Sequence, residues 1–206
     1  MSVIDFKEIS QANLANGNQD EFELFARDFF AYLGYKIISE PDRGQDGGKD
    51  ILIQESRIGI GGETKILWLV SCKHFSHSNS GKGRSVGVDD EVNIVDRLSS
   101  NKCDGFIGFY STIASSGLTQ KLQGLSEDQH KEFKIFHHGI IEGSLLKYPE
   151  GVRLARRYFS KSMKLWDESR EKTENILIYN DSEFDLKMTR QKYYEEYVQR
   201  KKQKEN

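Results

Sequence analysis

Two short segments of the chain, Asp46-Gly47-Gly48-Lys49-Asp50-Ile51 and Val70-Ser71-Cys72-Lys73-His74, can place a carboxylate beside an ammonium at the mouth of a hairpin. A carboxylate that holds a divalent cation, next to an amine that governs a water molecule, is the equipment of a metal-dependent nuclease. The elements that must position the pair are legible around it. Ile51 to Glu55 reads as a short strand and Lys65 to Lys73 as a longer one, with Gly59, Gly61 and Gly62 marking the turn between them. Folding the hairpin about residues 61 and 62 sets Leu52 opposite Ser71 and Asp50 opposite Lys73. With a side-chain period of two, Asp50, Leu52 and Gln54 share one face, and so do Leu69, Ser71 and Lys73.

A second combination, Pro41-Asp42 with Glu63-Thr64-Lys65, offers the same residue types. Pairing Asp42 with Glu63 or Lys65 would put the reversal near Ile53, inside the best strand signal, and leave Glu63 in a glycine-rich turn. That pairing is rejected.

Upstream, residues 20 to 33 carry apolar side chains at helical spacing, with Asp20 as N-cap and Gly34 as the stop. Tyr35 to Ser39 reads as a strand and Glu40 to Lys49 as a loop leading into the hairpin. His77 to Ser85 has the composition of a flexible basic loop. Further on, Val88 to Leu98 is predicted helical, Gly105 to Tyr110 a strand, Ser116 to Leu125 a helix and Phe133 to His137 a strand, an α/β alternation. Ile140 to Leu146 and Val152 to Phe159 read as short helices. The expected organisation is a main domain over residues 1–160 and a charged, mostly helical extension over 161–206, with a short strand at Ile176 to Tyr179 and a basic, tyrosine-bearing end from Lys187.

Composition narrows the class. The chain of 206 residues is long enough for one substantial core, and its clustered apolar runs indicate a globular protein although 30% of it is charged. A net charge of -2 supplies no global attraction to nucleic acid, so any such contact must come from local basic patches. Cys72 and Cys103 have neither zinc spacing nor a disulfide pattern, no apolar run reaches membrane-span length, and the N-terminal residues lack a secretory signal. A cytoplasmic protein without membrane contact is expected.

Taken in order, Phe22-Glu23 on the first helix, Leu33-Gly34-Tyr35 at its end, Asp46 to Ile51, and Val70-Ser71-Cys72-Lys73 make a fairly specific set. The chain resembles the Mrr-like branch of the PD-(D/E)xK restriction-endonuclease superfamily, and the likeness extends through Phe106 to Thr112 and fades near Tyr148. The resemblance implies an α/β, restriction-endonuclease-like mixed central sheet flanked by helices. It implies that Asp50 binds Mg2+, with Mn2+ as a substitute, that Lys73 orients or deprotonates the attacking water, and that Glu23 supports the metal. The chain departs from the family at Ser71, where an acid or Gln is usual. A serine hydroxyl can reach magnesium directly or through water, but adds no negative charge.

Magnesium prefers hard oxygen ligands and keeps several waters, so Asp50, Glu23 and the Cys72 carbonyl could supply the protein share. Lys49, Lys82 and Arg84 are candidates for phosphate contacts. Each has a plainer reading: Asp50 with Lys73 as a cross-strand salt bridge, Glu23 as an acid favoured by the helix dipole, and residues 77 to 85 as a solvated loop. His74 falls on the opposite face from Lys73, which suits a packed histidine, and His137-His138 reads as a strand end. The expected function is Mg-dependent endonucleolytic cleavage of DNA in restriction or phage defence, as a homodimer or with a partner specificity subunit. The alternatives are a catalytically weakened nuclease fold that binds DNA or assembles with a partner, and a nuclease acting on RNA or branched DNA.

Overall fold

The computed structural model describes residues 2–11, 21–39, 51–81, 83–129 and 131–170. Five strands form one sheet in the order β1-β2-β3-β4-β5: β1 (Lys36–Ser39), β2 (Ile51–Gly59), β3 (Gly62–Lys73), β4 (Gly105–Tyr110) and β5 (Glu132–Phe136). The first three are antiparallel neighbours, whereas β3, β4 and β5 run parallel. Parallel neighbours need crossovers. Here α2 (Ile94–Ser100) lies between β3 and β4 in sequence, and α3 (Ser116–Gln129) between β4 and β5. The mixed central sheet with flanking helices is the α/β architecture expected.

The helix ahead of the sheet, α1 (Glu21–Tyr32), buries Phe22, Phe25, Ala26, Phe29 and Phe30 along one stripe. Its stop is Gly34, whose φ of +89° allows the amides of Gly34 and Tyr35 to return to the carbonyls of Ala31 and Phe30, each at 3.0 Å. The stripe packs on Phe109, whose ring centroid lies between 5.2 and 5.6 Å from those of Phe22, Phe25, Phe29 and Phe30. The other face carries a second core of Leu69, Phe106 and Tyr110 with Ile94 and Leu98 of α2 and Leu118 and Leu122 of α3. Two short helices, α4 (His138–Leu145) and α5 (Pro149–Tyr158), follow β5.

Residues up to Met163 form one compact unit. Of the second unit, which begins at Lys164, residues 164–170 are helical. The strand expected at Ile176 to Tyr179 and the basic end from Lys187 lie outside the described residues.

Three local expectations change. The hairpin closes on Gly59 opposite Gly62, so Leu52 faces Leu69 rather than Ser71, a shift of two residues from the register read from the sequence. A two-residue turn at Ile60-Gly61 is the cause, and because the shift is even, Leu52 and Gln54 keep the face of Leu69. Glu63 consequently lies in β3 opposite Ile58, not in a turn. The single helix expected from Val88 to Leu98 is instead a 3-10 turn at Val88–Asp90 followed by α2, the break falling at Glu91, Val92 and Asn93. Asn93 is left-handed, with φ 52° and ψ 34°.

Candidate active site

Strand β3 sits at the centre of the sheet and ends on Ser71-Cys72-Lys73. In its parallel ladder Ser71 stands beside Gly108, Cys72 beside Phe109 and Lys73 beside Tyr110. Ladder partners share a face, so Ser71 and Lys73 look into the layer of α2 and α3, while Cys72 looks toward α1.

Ser71 is 2% exposed, and its Oγ donates to Oε2 of Glu91 at 3.1 Å. Glu91 follows the 3-10 turn and is fully buried. Its Oε2 also pairs with Nη1 of Arg97 at 3.1 Å, and Oε1 accepts the Tyr110 hydroxyl at 3.0 Å. Tyr110 reaches the carboxylate because its ring folds back over Gly108, where a Cβ would overlap Tyr110 Cζ and Oη. Burial, and then Glu91, push the Tyr110 phenol far above its ordinary range, so it stays a donor.

The residue before Glu91 completes a second contact group. Asp90 accepts from both terminal nitrogens of Arg84 at 2.7 Å and from the Gly87 amide at 2.7 Å. The Arg84 hydrogen bonds foremost, with the Gly87 amide and the charge of Lys73 adding to them, hold the Asp90 carboxyl below the usual range against partial burial. Lys73 thus stands within the field of an acid that the sequence reading left out. Arg84, expected in a free basic loop, is clamped on Asp90 and stacked 3.6 Å from the Phe75 ring centroid.

The remaining candidates are distributed as follows. The carbonyls of Leu67 and Lys73 accept from Asp104 and Ser111, just before and just after β4. Strand alternation therefore turns the Cys72 carbonyl toward the β2 side of β3. Glu23 is buried in the first turn of α1, which overlies the end of β3: Phe22 stacks on His74 with centroids 4.7 Å apart. Glu23 and Ser71 therefore belong to opposite layers. His74 is packed rather than exposed, its Nε2 lying 3.0 Å from the Ile9 carbonyl. His137 caps α4 through the Gly139 amide. Asp50, Lys49 and Lys82 lie outside the described residues.

A cavity of about 520 Å³ opens at the same end of the sheet, bounded among others by Lys7, Arg84, Ser111, Thr112 and His138. It adjoins β3 directly, since the Ser111 amide donates to the Lys73 carbonyl at 3.1 Å. Sequence reasoning missed Asp90 and Glu91. Their signal was the run Asp89-Asp90-Glu91, which reads equally well as the acidic first turn of a helix.

Comparison with known families adds a match between residues 14–112 and the Mrr catalytic model, described as restriction endonuclease. Over that stretch the chain is similar to restriction endonucleases. The resemblance read from the sequence holds there, and the matched restriction-endonuclease segment ends at Thr112, just beyond β4. No curated protein matches the chain. Among solved structures, the DNA modification-dependent restriction endonuclease AspBHI is similar at 16% identity and a TM-score of 0.48, covering 77% of this chain and 37% of that one. The MspJI restriction endonuclease, solved in complex with a 27-mer oligonucleotide, is similar at 19% identity and a TM-score of 0.42, covering 65% and 30%. The chain therefore spans only about a third of the length of these proteins.

Restriction endonucleases imply a divalent cation. Among the described residues no three His, Cys, Asp or Glu side chains converge as a ready metal cluster. What the end of β3 offers is oxygen: the Ser71 hydroxyl, backed by the buried Glu91 carboxylate, and the backbone carbonyl of Cys72. Such a donor set suits a hard, partly hydrated ion of the magnesium or manganese type and not a thiolate-bound zinc. Among the described residues no helix is long and apolar enough to cross a membrane.

Proposed function

We propose that the chain is a magnesium-dependent endodeoxyribonuclease that hydrolyses DNA phosphodiesters in the cytoplasm, in restriction or phage defence, with manganese able to replace magnesium. The observation that carries this reading is the end of the central strand. Within the stretch that matches the restriction-endonuclease model, Ser71-Cys72-Lys73 terminates β3 beside β4, and the Lys73 carbonyl accepts from Ser111, which lines the cavity.

In this reading Asp50, the Cys72 carbonyl and Glu23 would hold the cation at the end of β3, Glu23 from the α1 layer and Ser71 from the opposite one. The bound ion supplies charge neutralisation at the phosphate and lowers the pKa of a water. Lys73 orients that water and stabilises charge building on the phosphoryl oxygens. The barrier to be removed is large, about 8 to 23 kcal/mol across enzymes, and charge stabilisation carries much of it. Lys49, Lys82 and Arg84 contact backbone phosphates, Arg84 exchanging its Asp90 partner for one. Cutting both strands calls for two sites, which a homodimer or a partner specificity subunit would supply.

The test is nicking of supercoiled plasmid with magnesium, by the full chain and by Asp50→Ala. Metal-stimulated nicking that disappears with Asp50→Ala supports the reading, and nicking unchanged by that substitution refutes it. One observation favours a second reading, a weakened nuclease that binds DNA: Ser71 replaces an acid and is buried against Glu91. DNA retention without metal-stimulated cleavage would select it, and a panel of RNA and branched DNA substrates separates substrate classes.

A further inference from the structure

Among the described residues Glu91 is the charged side chain most completely removed from solvent. A carboxylate removed from water is retained only where its partners compensate for the lost hydration. Glu91 is fully buried, and three side chains meet its two oxygens: Ser71, Arg97 and Tyr110. A fourth group, the Lys121 ammonium, donates to its backbone carbonyl at 3.4 Å and pins the segment from the α3 side. An apolar side chain at this position would fill the layer between α2, α3 and the sheet without these requirements. The arrangement is therefore a poor way to stabilise a core and a good way to hold one hydroxyl.

Ser71 has a single hydroxyl proton, and the 3.1 Å bond to Glu91 commits it. Its remaining capacity is acceptance. A serine so held offers only lone pairs to anything else that approaches, which is what a cation or the proton of a cation-bound water requires. The carboxylate behind it also raises the electron density on that oxygen, since hydrogen bonds in a dry layer polarise one another. Glu91 thereby places negative charge one hydrogen bond behind the strand position where an acid side chain would otherwise stand.

We infer that Glu91 is a positioning residue for the cation side of the site, acting through Ser71 and not by touching the ion itself. This rests on the proposed metal-dependent reading and goes beyond it by naming the group that lets a serine serve there. Tyr110 and Arg97 complete the device by fixing the carboxylate's orientation, Tyr110 relying on the bare Gly108 beside it.

The experiment measures Mn2+ binding to the full-length chain by the loss of the free-ion electron paramagnetic resonance signal, so that no turnover is needed. Wild type, Asp50→Ala, Glu91→Gln, Ser71→Ala and the Glu91→Gln/Ser71→Ala double variant are compared, with circular dichroism as the check on folding. Groups that orient metal ligands from behind typically change affinity by roughly 10- to 100-fold. Glu91→Gln and Ser71→Ala are each expected to weaken Mn2+ binding on that scale, and the double variant to bind no more weakly than the worse single one. Should Glu91→Gln fail to fold, Ser71→Ala, which removes one oxygen atom, carries the test. Binding that is lost in Asp50→Ala but intact in Ser71→Ala or in folded Glu91→Gln overturns the role of Glu91 alone. A wild-type chain that binds no Mn2+ overturns the metal-dependent reading, and this inference with it.

Discussion

Arg57, near the tip of the hairpin, reaches over Trp68 to Glu132 on β5, two strands beyond β3, where its Nη2 meets Glu132 Oε2 at 2.8 Å. The same guanidinium holds Glu55, which in turn accepts Trp68 Nε1 at 2.9 Å. Hydrogen bonds from Arg57 are the main cause holding both carboxyls below their ordinary values. A depressed folded value means that the stability is present above the unfolded carboxylate range, near pH 4.5, and is lost as pH falls below it. Arg57 and Glu132 are 38% and 45% exposed, so screening limits the whole contribution to about 1 kcal/mol. Arg57→Ala is expected to lower the thermal midpoint slightly at pH 7 and to flatten its decline between pH 5 and 3. An equally steep acid decline in the variant would refute this.

Phe109 is the contact point between α1 and the sheet, touched by four phenylalanine rings of one helix. Phe109→Ala is expected to destabilise the chain by about 3–5 kcal/mol, measured by urea unfolding, because so many rigid rings cannot collapse into the space left. A loss below about 1 kcal/mol would show that α1 repacks freely.

Restoring an acid at position 71 is a natural attempt to raise activity. The structure predicts trouble for Ser71→Glu alone, since its carboxylate would enter a buried layer already holding Glu91. Reduced stability is expected for the single variant, with recovery in Ser71→Glu/Glu91→Gln. Thermal unfolding of the two proteins decides the matter, and a fully stable single variant would contradict it.

Lys73 and Glu23 are expected to separate kinetically. In the proposed reading Lys73 orients water, so Lys73→Ala should cost roughly 10²- to 10⁴-fold in plasmid nicking while DNA retention persists. Glu23 belongs to the layer of α1, across the sheet from Ser71, so Glu23→Gln is expected to raise the magnesium concentration needed for half-maximal cleavage more than it lowers the plateau rate. Equal loss of plateau rate in both variants would remove the distinction.

Much of the architecture follows from local rules. The phenylalanine stripe of α1, the glycine that ends it and the uniformly apolar run of β4 are carried by periodicity and composition, and they need no distant partner to be read. The ending of β3 on Ser71-Cys72-Lys73 is equally local. Register was less secure: the three glycines at 59, 61 and 62 permit more than one turn centre, and only the closed ladder selected Gly59 opposite Gly62.

What the sequence determined by itself is which residues could do chemistry along each strand and helix. Tertiary structure decided which of them meet. Glu91 comes to Ser71, and Asp90 to Arg84 and the field of Lys73, across 20, 6 and 17 positions of chain respectively. No periodic pattern encodes those meetings. They arise because a helix expected from Val88 breaks at Glu91, where a buried carboxylate finds its donors on β3, β4 and α2, and the gain from those hydrogen bonds outweighs local helix propensity.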